Sequence, residues 1–125
     1  MLGMMLMAAA SASTGATPAR SVNGGRDWVY VSDYPAAALR EGRSGVVTVE
    51  LQIGRDGSIE QCRIARSSGS ADLDETSCTA MVLRGRYEPA RNARGRRIVS
   101  HVQRQIVWDA AAAQRALAEL RPAAP

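Results

Sequence analysis

One stretch constrains the fold more than any other: Gly45 to Ile64, GVVTVELQIGRDGSIEQCRI. Val47, Val49, Leu51 and Ile53 alternate with Thr48, Glu50 and Gln52, the period-two pattern of a strand buried on one face. Gly54-Arg55-Asp56-Gly57 supplies a hairpin turn, and a second strand begins with Ile59 facing inward. Strict alternation would next bury Gln61 and Arg63, yet the apolar residues are Cys62 and Ile64. One extra residue near Glu60 and Gln61, a β-bulge, restores the phase and turns Cys62 towards the core.

The segment that follows, SSGSADLDETSCTAMVLRG, opens with turn residues and becomes helical. Asp72 with Glu75 reads as a capping box, Ser70 is an alternative cap, and Gly85 is a terminator. Cys78, Met81 and Val82, at i, i+3 and i+4, predict an apolar stripe laid on the buried face of the hairpin. Cys62 and Cys78 then meet across the helix-sheet interface, and a disulfide is expected. Their spacing fits neither a redox C-x-x-C nor a zinc site, and His101 is the sole histidine, so neither metal nor cofactor is expected. Closing such a loop stabilises a fold by about 3 kcal/mol in the chain-entropy model.

The flanks read more weakly. Residues 1–12, apolar and then small with Ala10-Ser11-Ala12, resemble a signal peptide or the stump of a membrane anchor. Residues 13–26 are rich in Ser, Thr, Gly, Ala and Pro and read as a flexible linker. Asp27 to Val31 suits a short strand or an extended arm laid on the body. Tyr34 to Gly42 predicts a short helix opened by Pro35 and closed by Gly42. Ile98 to Trp108 predicts a third strand with Ile98, Val102, Ile106 and Trp108 in one phase. Residues 110–125 form a helical or frayed tail, with Ala113, Leu117 and Leu120 as a thin stripe.

These elements fit one domain in a chain of 125 residues. Without Phe, the core is left to Val, Ile, Leu, Met and Ala, and no broad aromatic platform for stacking bases exists. All sixteen basic residues are Arg, but a net charge of +4 without a nucleic-acid signature does not predict nucleic-acid binding. The run RNARGRR, Arg91 to Arg97, reads as a solvated loop. No nucleophile with a partner base, paired-carboxylate motif or phosphate loop appears, and catalysis is not expected.

Tyr34-Pro35, Gly45-Val46-Val47-Thr48-Val49, Asp56-Gly57, Ser67-Ser68-Gly69, Leu73-Asp74 and Tyr87-Glu88-Pro89-Ala90 stand in an order and spacing that resemble the TonB C-terminal domain family. The resemblance covers about residues 28–108, with the domain bounded at 27–109. It implies an α+β fold, two helices packed on a three-stranded antiparallel sheet, with the tail as an optional third helix. It also implies a periplasmic module that binds the TonB box of outer-membrane transporters as an added strand and couples inner-membrane energy to nutrient uptake. By the family's topology the contact strand is Arg97, Ile98, Val99, Ser100, His101, Val102, Gln103, Arg104, Gln105 and Ile106. Implied partners are TonB-dependent transporters and an inner-membrane proton-motive motor complex, with a homodimer left open. The family's transducers carry a transmembrane helix and a long Pro-rich spacer, which these residues do not display. The alternative expectation is therefore a secreted periplasmic adaptor with the same fold and no energy transduction.

Overall fold

The computed structural model describes residues 15–25 and 28–120. The signal-like segment 1–12 and the end of the tail, 121–125, lie outside them.

The alternating stretch forms the expected hairpin. Strand β2 (Gly45–Ile53) buries Val47, Val49, Leu51 and Ile53 completely, and its partner is β3 (Ile59–Arg66). In the turn, the Gly57 amide donates to Gly54 O at 3.0 Å and Gly54 N to Ser58 O at 2.9 Å, while Gly57 takes φ 86°, open chiefly to glycine. The register slips between Gln52 and Ile53, leaving Glu60 as the unpaired extra residue, so the bulge sits where the phase change places it. A second slip, between Thr48 and Val49, adds Ala65. No change of apolar phase marks that one, because Ala65 and Arg66 both face solvent.

The third strand, β7 (Ser100–Trp108), pairs antiparallel with β2 over its whole length without a slip, giving the order β3-β2-β7. Arg97 and Ile98 form a separate short strand, β6, paired with β5 (Ala90–Arg91). Two-residue strands β1 (Arg20–Ser21) and β4 (Tyr87–Glu88) make another ribbon, joined by a Thr17–Arg91 bridge. Part of the stretch that reads as linker is thus hydrogen-bonded to the body.

Helix α1 (Ala36–Arg40) follows Pro35, and bonds from Gly42 N to Leu39 O and Arg43 N to Ala38 O close it. Helix α2 (Ala71–Arg84) crosses the sheet with Ser70 at the N-cap position. Arg43 reaches over to clamp Asp72 with two hydrogen bonds, 2.8 and 3.0 Å long. The expected stripe is corrected here. The helix buries Leu73, Ser77, Ala80 and Met81, at i, i+4, i+7 and i+8; Cys78 lies half-buried on its flank, and Val82 is 42% exposed. Ser77 is polar and so invisible to an apolar count, but its hydroxyl donates to Leu73 O and accepts from Trp108 Nε1, both at 2.8 Å. A buried hydroxyl with both partners costs little.

Cys62 and Cys78 are joined in a disulfide with a Cα–Cα distance of 5.6 Å, within the usual range. Helix α3 (Ala110–Glu119) is capped by Asp109, which accepts from Ala112 N at 3.0 Å. It buries Ala110 and Ala113, and Gln114 bonds Leu39 O at 2.9 Å. Its thin stripe ends early: Leu120 is 77% exposed. The outcome is an α+β fold of three helices and a three-stranded antiparallel sheet.

Candidate functional site

A sheet of three strands has two edges, and this sequence treats them differently. Strand β3 carries both bulges, so its outer backbone groups fall out of step and make a poor template for another strand. Strand β7 keeps nine consecutive pairs with β2, from Gly45–Trp108 to Ile53–Ser100. Among the described residues, no strand pairs with its other side.

Which backbone groups face outward follows from geometry. Successive amides along a strand point to opposite sides. Gly54 N points towards β3, where it donates to Ser58 O. Counting back along the regular β2, the odd residues, including Ile53 and Leu51, bond towards β7. Through the register, Ser100, Val102, Arg104, Ile106 and Trp108 bond back to β2. His101, Gln103, Gln105 and Val107 therefore turn their N–H and C=O groups outward.

Side chains follow the other alternation. Ile106 and Trp108 enter the core, and Val102 packs against it half-buried. Arg104 shares that inward phase, which looks anomalous in the sequence. The arm before α1 explains it: Trp28 is 4% exposed, and the Arg104 guanidinium carbon lies 5.3 Å from its ring centroid. A cation over an indole face in a half-buried setting is worth about 1 kcal/mol. Gly25 takes φ 80°, open chiefly to glycine, and a Cβ there would sit 2.0 Å from Arg104 Nη2, so that the guanidinium would have to move aside.

The arm thus forms a wall beside the β7 edge. Between them runs an open trough of about 440 Å³ lined by Gly25, Val29, Met81 and Arg104 through Val107. At the C-terminal end of β7 it meets an apolar groove of about 340 Å³, walled by Tyr30, Val31, Trp108, Ala112 and Ala116; Val29 and Val107 line both.

Arg84, on the last turn of α2, holds the wall in place. Its guanidinium donates to both Asp33 carboxylate oxygens, at 2.6 and 2.8 Å, and to Trp28 O at 2.7 Å, and lies 4.6 Å from the Tyr30 ring centroid. The hydrogen bonds from Arg84 hold the Asp33 carboxyl below its ordinary pKa and outweigh the opposing effect of burial.

Of the ten residues expected on the contact strand, Ser100 to Ile106 lie in β7, Val99 precedes it, and Arg97 and Ile98 sit in the β5–β6 hairpin. The arm laid on the body is one of the two forms expected for the stretch to Val31; what sequence reasoning missed is its clamp, because Arg84 reaches Trp28 and Asp33 from more than fifty positions away. The open face of the sheet is polar over its middle and hairpin end, with Val46 and Val107 exposed opposite each other at the far end. Glu50 pairs with Arg63, and Gln52 Nε2 donates to Glu60 Oε1 at 2.9 Å. Among the described residues, no cluster of three or more His, Cys, Asp or Glu side chains is placed to hold a metal, and no helix is long and apolar enough to cross a membrane.

No curated protein matches the chain. Residues 31–110 match a family model described as Gram-negative bacterial TonB protein C-terminal. That match spans the helix-sheet body and its β7 edge, and the chain belongs to this family, whose domains are periplasmic and associated with transport.

Proposed function

We propose that the protein captures an extended segment, the TonB box of an outer-membrane transporter, as a fourth strand on the outer edge of β7, and that this contact couples inner-membrane energy to nutrient uptake. The observation that carries the reading is the uninterrupted edge of β7, unpaired among the described residues, beside an edge, β3, that two bulges spoil. Strand addition draws affinity from main-chain bonds, which suits partners of differing side chains. Each bond contributes about 0.5–1.5 kcal/mol net. Ordering the free segment costs about 2–5 kcal/mol of that total. The remainder supports binding that also releases, as a coupling element requires.

In this reading the contact strand is Ser100 to Ile106, extended to Val107. His101, Gln103 and Gln105 supply the outward amides, and the residues from Arg97 to Val99 flank them. A motor complex at the inner membrane belongs to the same proposal. The adaptor alternative uses the same edge and differs only in lacking that motor.

The test is calorimetry of a TonB-box peptide against the unmodified protein and Gln103→Pro. Proline at position 103 removes an outward donor and no bond to β2. At least a ten-fold loss of affinity is expected, from about 1.4 kcal/mol for a donor and its neighbouring distortion. Equal affinity would place the contact elsewhere.

A further inference from the structure

The two ends of the β7 edge differ in chemistry. Before its N-terminal end, the β5–β6 hairpin carries Arg91, Arg94, Arg96 and Arg97, all exposed. Arg91 and Arg97 stand directly opposite each other across the ribbon, an arrangement of like charges that destabilises a strand pair. Among the described residues, none of the four is in an ion pair; the Arg91 guanidinium bonds only the loop carbonyl of Gly95, at 2.8 Å. The loop is shaped independently of its charges, by the Asn92 carboxamide oxygen accepting from Arg94 N and Arg96 N. Four arginines held on a turn that carries no acid of its own, with Glu88 the acid that shares a pocket with Arg91, form an anion-seeking surface. At the other end the apolar groove begins, with Val107 71% exposed on its rim.

We infer that the segment captured on β7 is bipartite, with acidic residues at the end that meets the Arg91–Arg97 hairpin and a bulky apolar side chain at the end that enters the groove beside Val107 and α3. The inference rests on strand addition at β7. Charge complementarity fixes one end. Continuity fixes the other, since Val29 and Val107 line both the edge trough and the groove. At about 3.3 Å per residue the nine residues of β7 span roughly 30 Å, so the two anchors lie about ten residues apart on an extended partner. Both ends together set which way the segment runs, a choice that main-chain pairing leaves open.

The probes are synthetic peptides sharing a Thr-Val repeat core, with Asp-Asp-Asp at one end and Leu-Trp at the other, made in both orders. Controls replace Asp by Asn or Leu-Trp by Ser-Ser. Calorimetry with the full chain is expected to favour one order over its Asn control by about ten-fold, the combined effect of three exposed ion pairs. That advantage should vanish in high salt and in an Arg94→Gln, Arg96→Gln, Arg97→Gln variant. The Ser-Ser control of the same order should also bind more weakly, and Ala116→Glu should remove that difference. If all peptides bind alike and remain sensitive to Gln103→Pro, the bipartite inference is overturned while strand addition stands. An effect at only one end overturns it too. If no peptide binds, or Gln103→Pro is without effect, the edge reading itself falls and takes the inference with it.

Discussion

Arg84 ties the arm to helix α2 through one guanidinium, which meets the Trp28 carbonyl, the Tyr30 ring and the Asp33 carboxylate. Asp33→Asn leaves that charge half-buried and partly unpaired, and a loss of about 2 kcal/mol in denaturant unfolding is expected. The pH dependence has a definite sign. Because folding lowers the Asp33 pKa, its stabilising contribution is complete above the unfolded value, about 3.9, and disappears as pH falls through the folded value. Thermal melts between about pH 5 and pH 2 should therefore show a fall in Tm that begins near pH 4 and is shallower in Asp33→Asn. Asp72, lowered by hydrogen bonds from Ser70 and then Arg43, acts in the same direction and remains in that variant. At position 77 the hydroxyl answers the buried indole N–H of Trp108. Ser77→Ala is expected to cost about 1–3 kcal/mol by leaving that donor unsatisfied, measured by chemical denaturation. These contacts were illegible in the sequence, because hydrophobic periodicity scores a serine or an arginine on an inward phase as an error.

The elements were more legible, for a physical reason. A strand with one buried face writes its register as alternation, and a slip in that register shows as a slip in the pattern. The Glu60 bulge was readable because it moves Cys62 and Ile64 into phase; the Ala65 bulge was not, since it moves only exposed residues. The α2 stripe was misread at Val82 because Ser77 and Ala80, which touch the core, carry little apolar signal. Deleting Glu60 should return Cys62 to the solvent phase, and both thiols should then be open to alkylation in denatured, unreduced protein. A disulfide formed as before would show that the bulge does not set the position of Cys62. Reducing the bond in the intact protein should cost about 3 kcal/mol, read from the shift in unfolding midpoint.

For the whole molecule, the proposed function rests on the sheet order. A central β2 leaves two edges, and the sequence spends two bulges on one while keeping the other regular. The choice of β7 as the proposed binding edge came only through the family resemblance; the contrast between β3 and β7 that supports it needed the register. The pairing of Arg20–Ser21 with the body was hidden in a segment whose Gly, Ser and Pro content reads as linker, because two-residue ribbons such as β1–β4 leave no periodicity. The most direct measurement is residue-resolved amide hydrogen exchange along β7, in the free protein and with a TonB-box peptide bound. The amides of His101, Gln103, Gln105 and Val107 should exchange quickly when free and become protected on binding, while those of Val102, Arg104 and Ile106 are slow in both states. Slow exchange at the first set in the free protein, or no gain of protection on binding, would contradict capture on this edge.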